Sequence, residues 1–143
     1  MFYGIRVREK ANGKFEVSCR DLPGYISQHQ TKEEAMEFAR QFVPGVMTME
    51  YRRKRKAIPL PTEIHDGEIA YYVPTKVQAK ILFWNFMMEN HLKIADVARK
   101  LEIAHSEAAR FVDLSKDSAS IDNIERALLH LGYSFTLQIK PEQ

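Results

Sequence analysis

The chain has 143 residues, 45% of them apolar and 28% charged, with a formal net charge of +2, a composition that supports a packed core and excludes a disordered chain. The longest aromatic-aliphatic run, Ile81-Leu82-Phe83-Trp84, is broken by Asn85, and the N-terminus, MFYGIRVREK, has no apolar stretch of the signal-peptide kind; a soluble, cytoplasmic protein with no membrane partner is expected. Cys19 is the single cysteine, which excludes an intramolecular disulfide and a cysteine-based metal cluster.

Charge is unevenly placed. Residues 1–60 hold 12 Lys/Arg against 7 Asp/Glu, a net of +5, while residues 61–143 hold 9 against 12, a net of −3. Nucleic-acid binding by the second half must therefore rest on a local cluster of cations.

In chain order, residues 3–9 and 15–20 alternate as strands and flank Asn12-Gly13, a strong hairpin signal, so they are expected to pair antiparallel. A corner, Asp21-Leu22-Pro23-Gly24-Tyr25, follows. Thr31 with Glu34 then forms a capping-box signature that opens a helix. Ala35, Phe38, Ala39, Phe42, Val46 and Met49 give that helix one apolar face, and Pro44-Gly45 is expected to kink or interrupt it. It ends in the cationic run Arg52-Arg53-Lys54-Arg55-Lys56, which has three readings: a solvated helix end, a patch on DNA phosphate, or a contact to an acidic surface. Pro59 and Pro61 mark an extended connector, after which residues 68–74 read as a strand with Ile69, Tyr71 and Val73 on one face.

From Thr75 the period becomes helical, over 75–90, 94–101, 106–114 and 121–131, with Gly132 as a stop. The first of these helices is apolar nearly all round, more than one face of a small bundle needs, so part of it is expected to meet another chain or domain. Within 94–114, Val97, Ala98, Leu101, Ile103, Ala108 and Phe111 occupy the packed positions of a helix-turn-helix. The second helix would then enter the major groove, with His105, Ser106 and Arg110 facing base edges and Lys93, Arg99 and Lys100 touching phosphate. The turn position usually given to glycine is Glu102, which must accept left-handed geometry or force another turn. An ordinary small helical bundle is the competing reading. Residues 134–140 alternate Phe135, Leu137 and Ile139 with polar residues, as a half-buried strand would; lacking a sheet of its own, this strand is expected to pair across a two-fold dimer.

The hairpin, the Asp-Leu-Pro-Gly corner, the Thr-x-x-Glu-Ala helix start, the connector Ile58-Pro59-Leu60-Pro61 and the next strand together resemble the HicB antitoxin family, in its branch with a C-terminal helix-turn-helix. The resemblance spans nearly the whole chain. It implies an α+β protein: residues 1–74 as a partial RNase H-like antiparallel sheet with one main helix, which binds and blocks a HicA-type toxin that cleaves mRNA, and residues 75–143 as a helix-turn-helix bundle ending in the dimerising strand. The corner residues Asp21, Leu22, Pro23 and Tyr25 are the expected toxin contacts. The C-terminal half is expected to bind operator DNA and repress its own operon as a homodimer, or as a larger complex with the toxin.

A metal-dependent nuclease is the alternative from another class, and a stand-alone repressor a third. Two-metal cleavage needs several carboxylates converging on one place. Glu9, Glu16 and Asp21 lie along the hairpin and Glu33, Glu34 and Glu37 at the helix start, where acidic residues more often complement the dipole. His29 and His65 have no partner at ligand spacing and are expected to be solvated loop residues. Cys19 lies in an alternating strand with nothing to activate it, so a packed thiol is expected. No enzymatic activity, metal or cofactor is expected.

Overall fold

A computed structural model describes residues 1–115 and 118–141. Its four-stranded sheet has the order β3-β2-β1-β4, with every pairing antiparallel. Strands β1 (Phe2–Glu9) and β2 (Phe15–Cys19) form the expected hairpin, in the register Ile5↔Cys19 and Val7↔Val17. Alternation then puts Tyr3, Ile5, Val17 and Cys19 in the core. Glu16 is paired with Arg8 and Lys10 on the other face.

The strand β3 (Ser27–His29) was not legible in the sequence, where His29 reads as a solvated loop residue. It pairs with β2 as Phe15↔His29 and Val17↔Ser27. His29 is half-buried, its ring 4.8 Å from that of Phe38 and its Nε2 2.9 Å from Ser27 Oγ. Three residues are too few to show alternation, so this strand is imposed by its neighbour.

Helix α1 (Lys32–Val46) starts where expected, Thr31 Oγ1 accepting from Glu34 N at 3.2 Å. The Glu34 carboxylate reaches one residue further back than a capping box requires, accepting from Gln30 N. Pro44 does not end the helix, which passes into a π-helical segment, Met47–Arg52, closed by Arg53 N to Thr48 O and Lys56 N to Tyr51 O. The wider turn changes the phase. Met47 and Tyr51 take the inward positions, and Met49, expected on the apolar face, is 51% exposed.

The connector is threaded between the two halves. Ile58 is buried and its N–H and C=O are both bonded to the Asn85 amide, Trp84 Nε1 donates to Lys56 O, and Tyr3 Oη to Pro59 O. Strand β4 (Ile69–Tyr72) then joins β1, shorter than the expected 68–74, with Phe2↔Tyr72 and Ile5↔Ile69. Of the face expected to be apolar, Val73 is buried, Tyr71 half-buried and Ile69 exposed.

Glu68 lies directly over Gly4. A Cβ at Gly4 would stand 2.7 Å from Glu68 Cδ and closer still to Oε1. Gly4→Ala is therefore expected to displace this carboxylate and cost about 1–3 kcal/mol, read as a lowered urea midpoint at unchanged slope; an unchanged midpoint would show that Glu68 moves freely.

Helices α2 (Thr75–Glu89), α3 (Ile94–Leu101), α4 (His105–Arg110) and α5 (Ile121–His130) match the helical pattern, with α4 shorter than its expected span of 106–114. The all-round apolarity of α2 has its cause within the chain. Trp84 and Asn85 meet the connector, while the Phe83 ring lies 5.6 Å from that of Phe111 and Lys80 Nζ donates to Asp113 O.

The expected C-terminal strand is absent among the described residues. Residues 133–141 pair with no strand; Phe135 is half-buried against the core, while Leu137 and Ile139 are 83% and 98% exposed. The one sheet among the described residues belongs to the first half, and a lone strand has no partner for its backbone groups.

Candidate functional site

Two surfaces carry the sequence-predicted residues. In the first, α3 and α4 pack against each other, with Val97, Ala98, Ala108 and Phe111 buried and Leu101 and Ile103 half-buried, the positions expected to be packed. Lys93 is the residue before α3, and the Asp96 carboxylate accepts from its N–H. The hydrogen bonds from the Lys93 N–H and the Arg99 side chain hold the Asp96 carboxyl below its usual range. Lys93, Arg99, Lys100, His105, Ser106 and Arg110 are all exposed, so this one unit presents all six expected DNA contacts to solvent. Arg99 is also bonded to Asp96 at 2.7 Å.

The doubtful turn resolves in favour of left-handed geometry. Glu102 adopts φ 56° and ψ 46° and closes α3 as an αL cap, its N–H on Arg99 O and that of Ile103 on Ala98 O. Glu102→Gly is expected to raise stability by about 1 kcal/mol through relief of the Cβ clash; a lower melting temperature would contradict this.

The second surface surrounds the corner. Asp21 is turned inward on the connector, accepting from Thr62 N at 2.8 Å and from Thr62 Oγ1, and it pairs with Arg20. Leu22 has none of its surface exposed and anchors the corner in the core instead of presenting itself to a partner. Pro23 is exposed, its carbonyl accepting from Tyr51 Oη at 2.7 Å, and Gly24 takes the left-handed φ of 111° that the corner requires. Tyr25 is 44% exposed, its ring 5.9 Å from that of Phe42. It separates two hollows, one of about 320 Å³ over Arg20, Ile26 and Glu68, the other an apolar groove of about 340 Å³ along Phe38, Phe42 and Met49.

Arg20 organises the far end of this surface. Its guanidinium lies between the carboxylates of Asp21 and Glu68 and also reaches Thr62 and Glu63 O. Among the described residues no three His, Cys, Asp or Glu side chains converge as a metal site. Asp21 and Glu68, just outside the ends of β2 and β4, both face this cation. Burial opposes ionisation of Glu68, but hydrogen bonds from Arg20 and the His65 N–H outweigh it and hold the carboxyl below its usual range. A depressed folded pKa adds stability above the unfolded carboxylate range, and that stability is lost as pH falls through the folded value. Acid unfolding of wild type is therefore expected to lose more stability between neutral and acid pH than that of Glu68→Gln; equal pH slopes would sink this.

A family model described as a HicB-like antitoxin of bacterial toxin-antitoxin systems matches residues 2–82, the hairpin, corner, α1, connector and β4, and the start of α2. The chain belongs to the HicB-like antitoxin family. Among curated relatives, antitoxin HicB 1 of Photorhabdus laumondii is 28% identical over 140 residues, 98% of this chain and 88% of that protein. Antitoxin HicB of Pseudomonas fluorescens is 28% identical over 139 residues, covering 96% and 93%, and that of Escherichia coli K12 26% over 137 residues, covering 96% and 98%. Similarity of this HicB-like chain to named antitoxins thus continues beyond residue 82, through the helices that the family model leaves unmatched.

Sequence reasoning missed two features of the HicB-like chain. The groove beside Tyr25 depends on Met49, which helical periodicity assigns to the core. The cationic run is also divided in use: Arg52 is half-buried against Trp84 and Lys54 pairs with Glu50, while Arg53 is exposed. The i,i+4 spacing of Glu50 and Lys54 is a local signal, but the inward turn of Arg52 has none, because it depends on the phase of the π-helical turn.

Proposed function

We propose that this antitoxin neutralises a HicA-type, mRNA-cleaving toxin through the surface around Tyr25 and represses its own operon by placing α4 in the major groove of operator DNA. The observation that carries the reading is family membership over residues 2–82; the short helices α3 and α4, around which the six candidate DNA contacts are exposed, support its second half. The groove supports the first half: Tyr25 and Met49, exposed at 44% and 51%, border one hollow, and Ile26, exposed at 53%, lines the adjoining one on the other side of Tyr25; aromatic residues over pockets are the usual anchors of an interface. The second half rests on Arg110, which can donate a bidentate pair to guanine, with Lys93, Arg99 and Lys100 on the backbone.

Dimerisation completes the reading. Leu129, Tyr133, Leu137 and Ile139 are exposed apolar side chains at the C-terminal end, and pairing residues 134–140 across a two-fold axis would supply the backbone partner that this segment lacks in one chain. Two reading heads would then lie roughly 34 Å apart, one turn of DNA.

The test is co-expression with the product of the neighbouring reading frame. Growth arrest by that product, relieved by this chain and accompanied by co-purification, supports neutralisation, and its absence overturns it. A footprint upstream of the operon, weakened by Arg110→Ala, supports repression. A footprint without a co-purifying partner would favour a stand-alone repressor.

A further inference from the structure

The cationic run joins the two halves of the chain around one aromatic ring. Trp84, the only tryptophan, is buried in α2, and the Arg52 guanidinium lies 4.2 Å from its ring centroid, that of Arg55 5.8 Å. Arg52 Nε donates to Val112 O at 2.7 Å and an Arg55 terminal amine to Leu92 O at 3.2 Å. These two carbonyls bracket the helix-turn-helix: Leu92 lies two residues before α3 begins and Val112 two residues after α4 ends. Trp84 is itself fixed by its indole N–H on Lys56 O.

We infer that Arg52 and Arg55 are positioning residues for the DNA-reading unit, holding it from both ends through the Trp84 ring without touching DNA. The inference rests on the DNA-binding role proposed above. Planar guanidinium groups suit this task because they stack on the indole and direct N–H donors in its plane at the same time. Carbonyls just past a helix end have no intrahelical donor, and a charged donor satisfies them strongly. Helix α4 has six residues, too few to keep its direction by its own hydrogen bonds. The π-helical turn places the hold: Tyr51 bonds to Pro23 O in the corner, while the next residue, Arg52, crosses to Val112 O.

A fixed head matters because two half-sites at set spacing reward only a pair of heads with set orientation. Loss of the hold would leave every DNA contact chemically intact and weaken their simultaneous formation. This sets the inference apart from the phosphate reading of the cationic run, in which the arginines themselves neutralise DNA.

The experiment compares full-length wild type with Arg52→Ala, Arg52→Lys and Arg55→Ala, and with Arg53→Ala as an exposed control. Backbone nitrogen relaxation reads the tumbling of the sheet and of residues 94–112 separately. Binding is measured against a duplex from immediately upstream of the chain's own reading frame and against a scrambled duplex, over a range of salt. Wild type and Arg53→Ala are expected to tumble as one body. Arg52→Ala and Arg52→Lys are expected to tumble as two and to lose about tenfold in the ratio of upstream to scrambled affinity, with the salt slope unchanged; Arg55→Ala loses less. Retained discrimination in Arg52→Lys, or a salt slope lowered by about one unit in Arg52→Ala, assigns the effect to charge and overturns the inference. One-body tumbling in Arg52→Ala overturns it as well. If wild type does not prefer the upstream duplex, the DNA-binding role fails, and with it the effect on specificity, while relaxation still decides whether the arginines hold the helices.

Discussion

Trp84→Ala is expected to destabilise the protein by about 3–5 kcal/mol, the range for removing a large aromatic side chain from a packed interior. The site cannot collapse easily. The ring is 1% exposed, two guanidinium groups lie over it, and its N–H is bonded to the connector at Lys56 O. Deletion leaves a cavity and also leaves Arg52 partly desolvated without its aromatic partner. Burial already lowers the pKa of that guanidinium, opposed by Asp113 and reinforced by Arg55, so its charge is costly to keep where it is. Urea unfolding followed by circular dichroism measures the loss. Trp84→Phe, which keeps a ring but no N–H, is expected to retain more than half of the difference. A loss below about 1 kcal/mol in Trp84→Ala would show that the two halves are stable without their common centre.

Tyr25→Ala is expected to weaken binding to the partner toxin by at least about 2 kcal/mol, roughly a thirtyfold rise in Kd, with little change in melting temperature. The separation of the two effects follows from burial. Tyr25 is 44% exposed and borders hollows on both of its sides, whereas Leu22, three residues earlier, is wholly buried. Leu22→Ala should therefore unfold the corner and lose binding only through stability. Met49→Ala, across the groove, is expected to cost about half as much as Tyr25→Ala, since less area is removed. Calorimetry with the purified toxin measures all three. Unchanged affinity in both Tyr25→Ala and Met49→Ala would move the docking surface elsewhere.

The diagnostic corner shows how site and scaffold became mixed in the sequence. Asp21, Leu22, Pro23 and Tyr25 stand together in the chain, and their order carries the family resemblance, yet they divide between tasks. Asp21 ties down the connector through Thr62, Leu22 fills the core, Pro23 accepts from Tyr51, and Tyr25 faces outward. Order along the chain identifies such a corner; direction of each side chain does not follow from it.

Features built from neighbours in the chain were determined by the sequence alone. The hairpin at Asn12-Gly13, the Thr31 cap, the limits of α3 at Ile94–Leu101 and the buried pattern of α3 and α4 all rest on turn chemistry, capping or a 3.6-residue period. Tertiary structure alone decided the rest: β3, the outward turn of Met49, the course of residues 134–141 outside any strand, and the partition of the cationic run between buried contacts and solvent. The physical reason is range. Arg52 meets Val112 across 60 residues of chain and Tyr3 meets Pro59 across 56. Such partners leave no periodic signal around either member, and a change of helical phase at Met47–Arg52 turns Met49 outward and Met47 and Tyr51 inward.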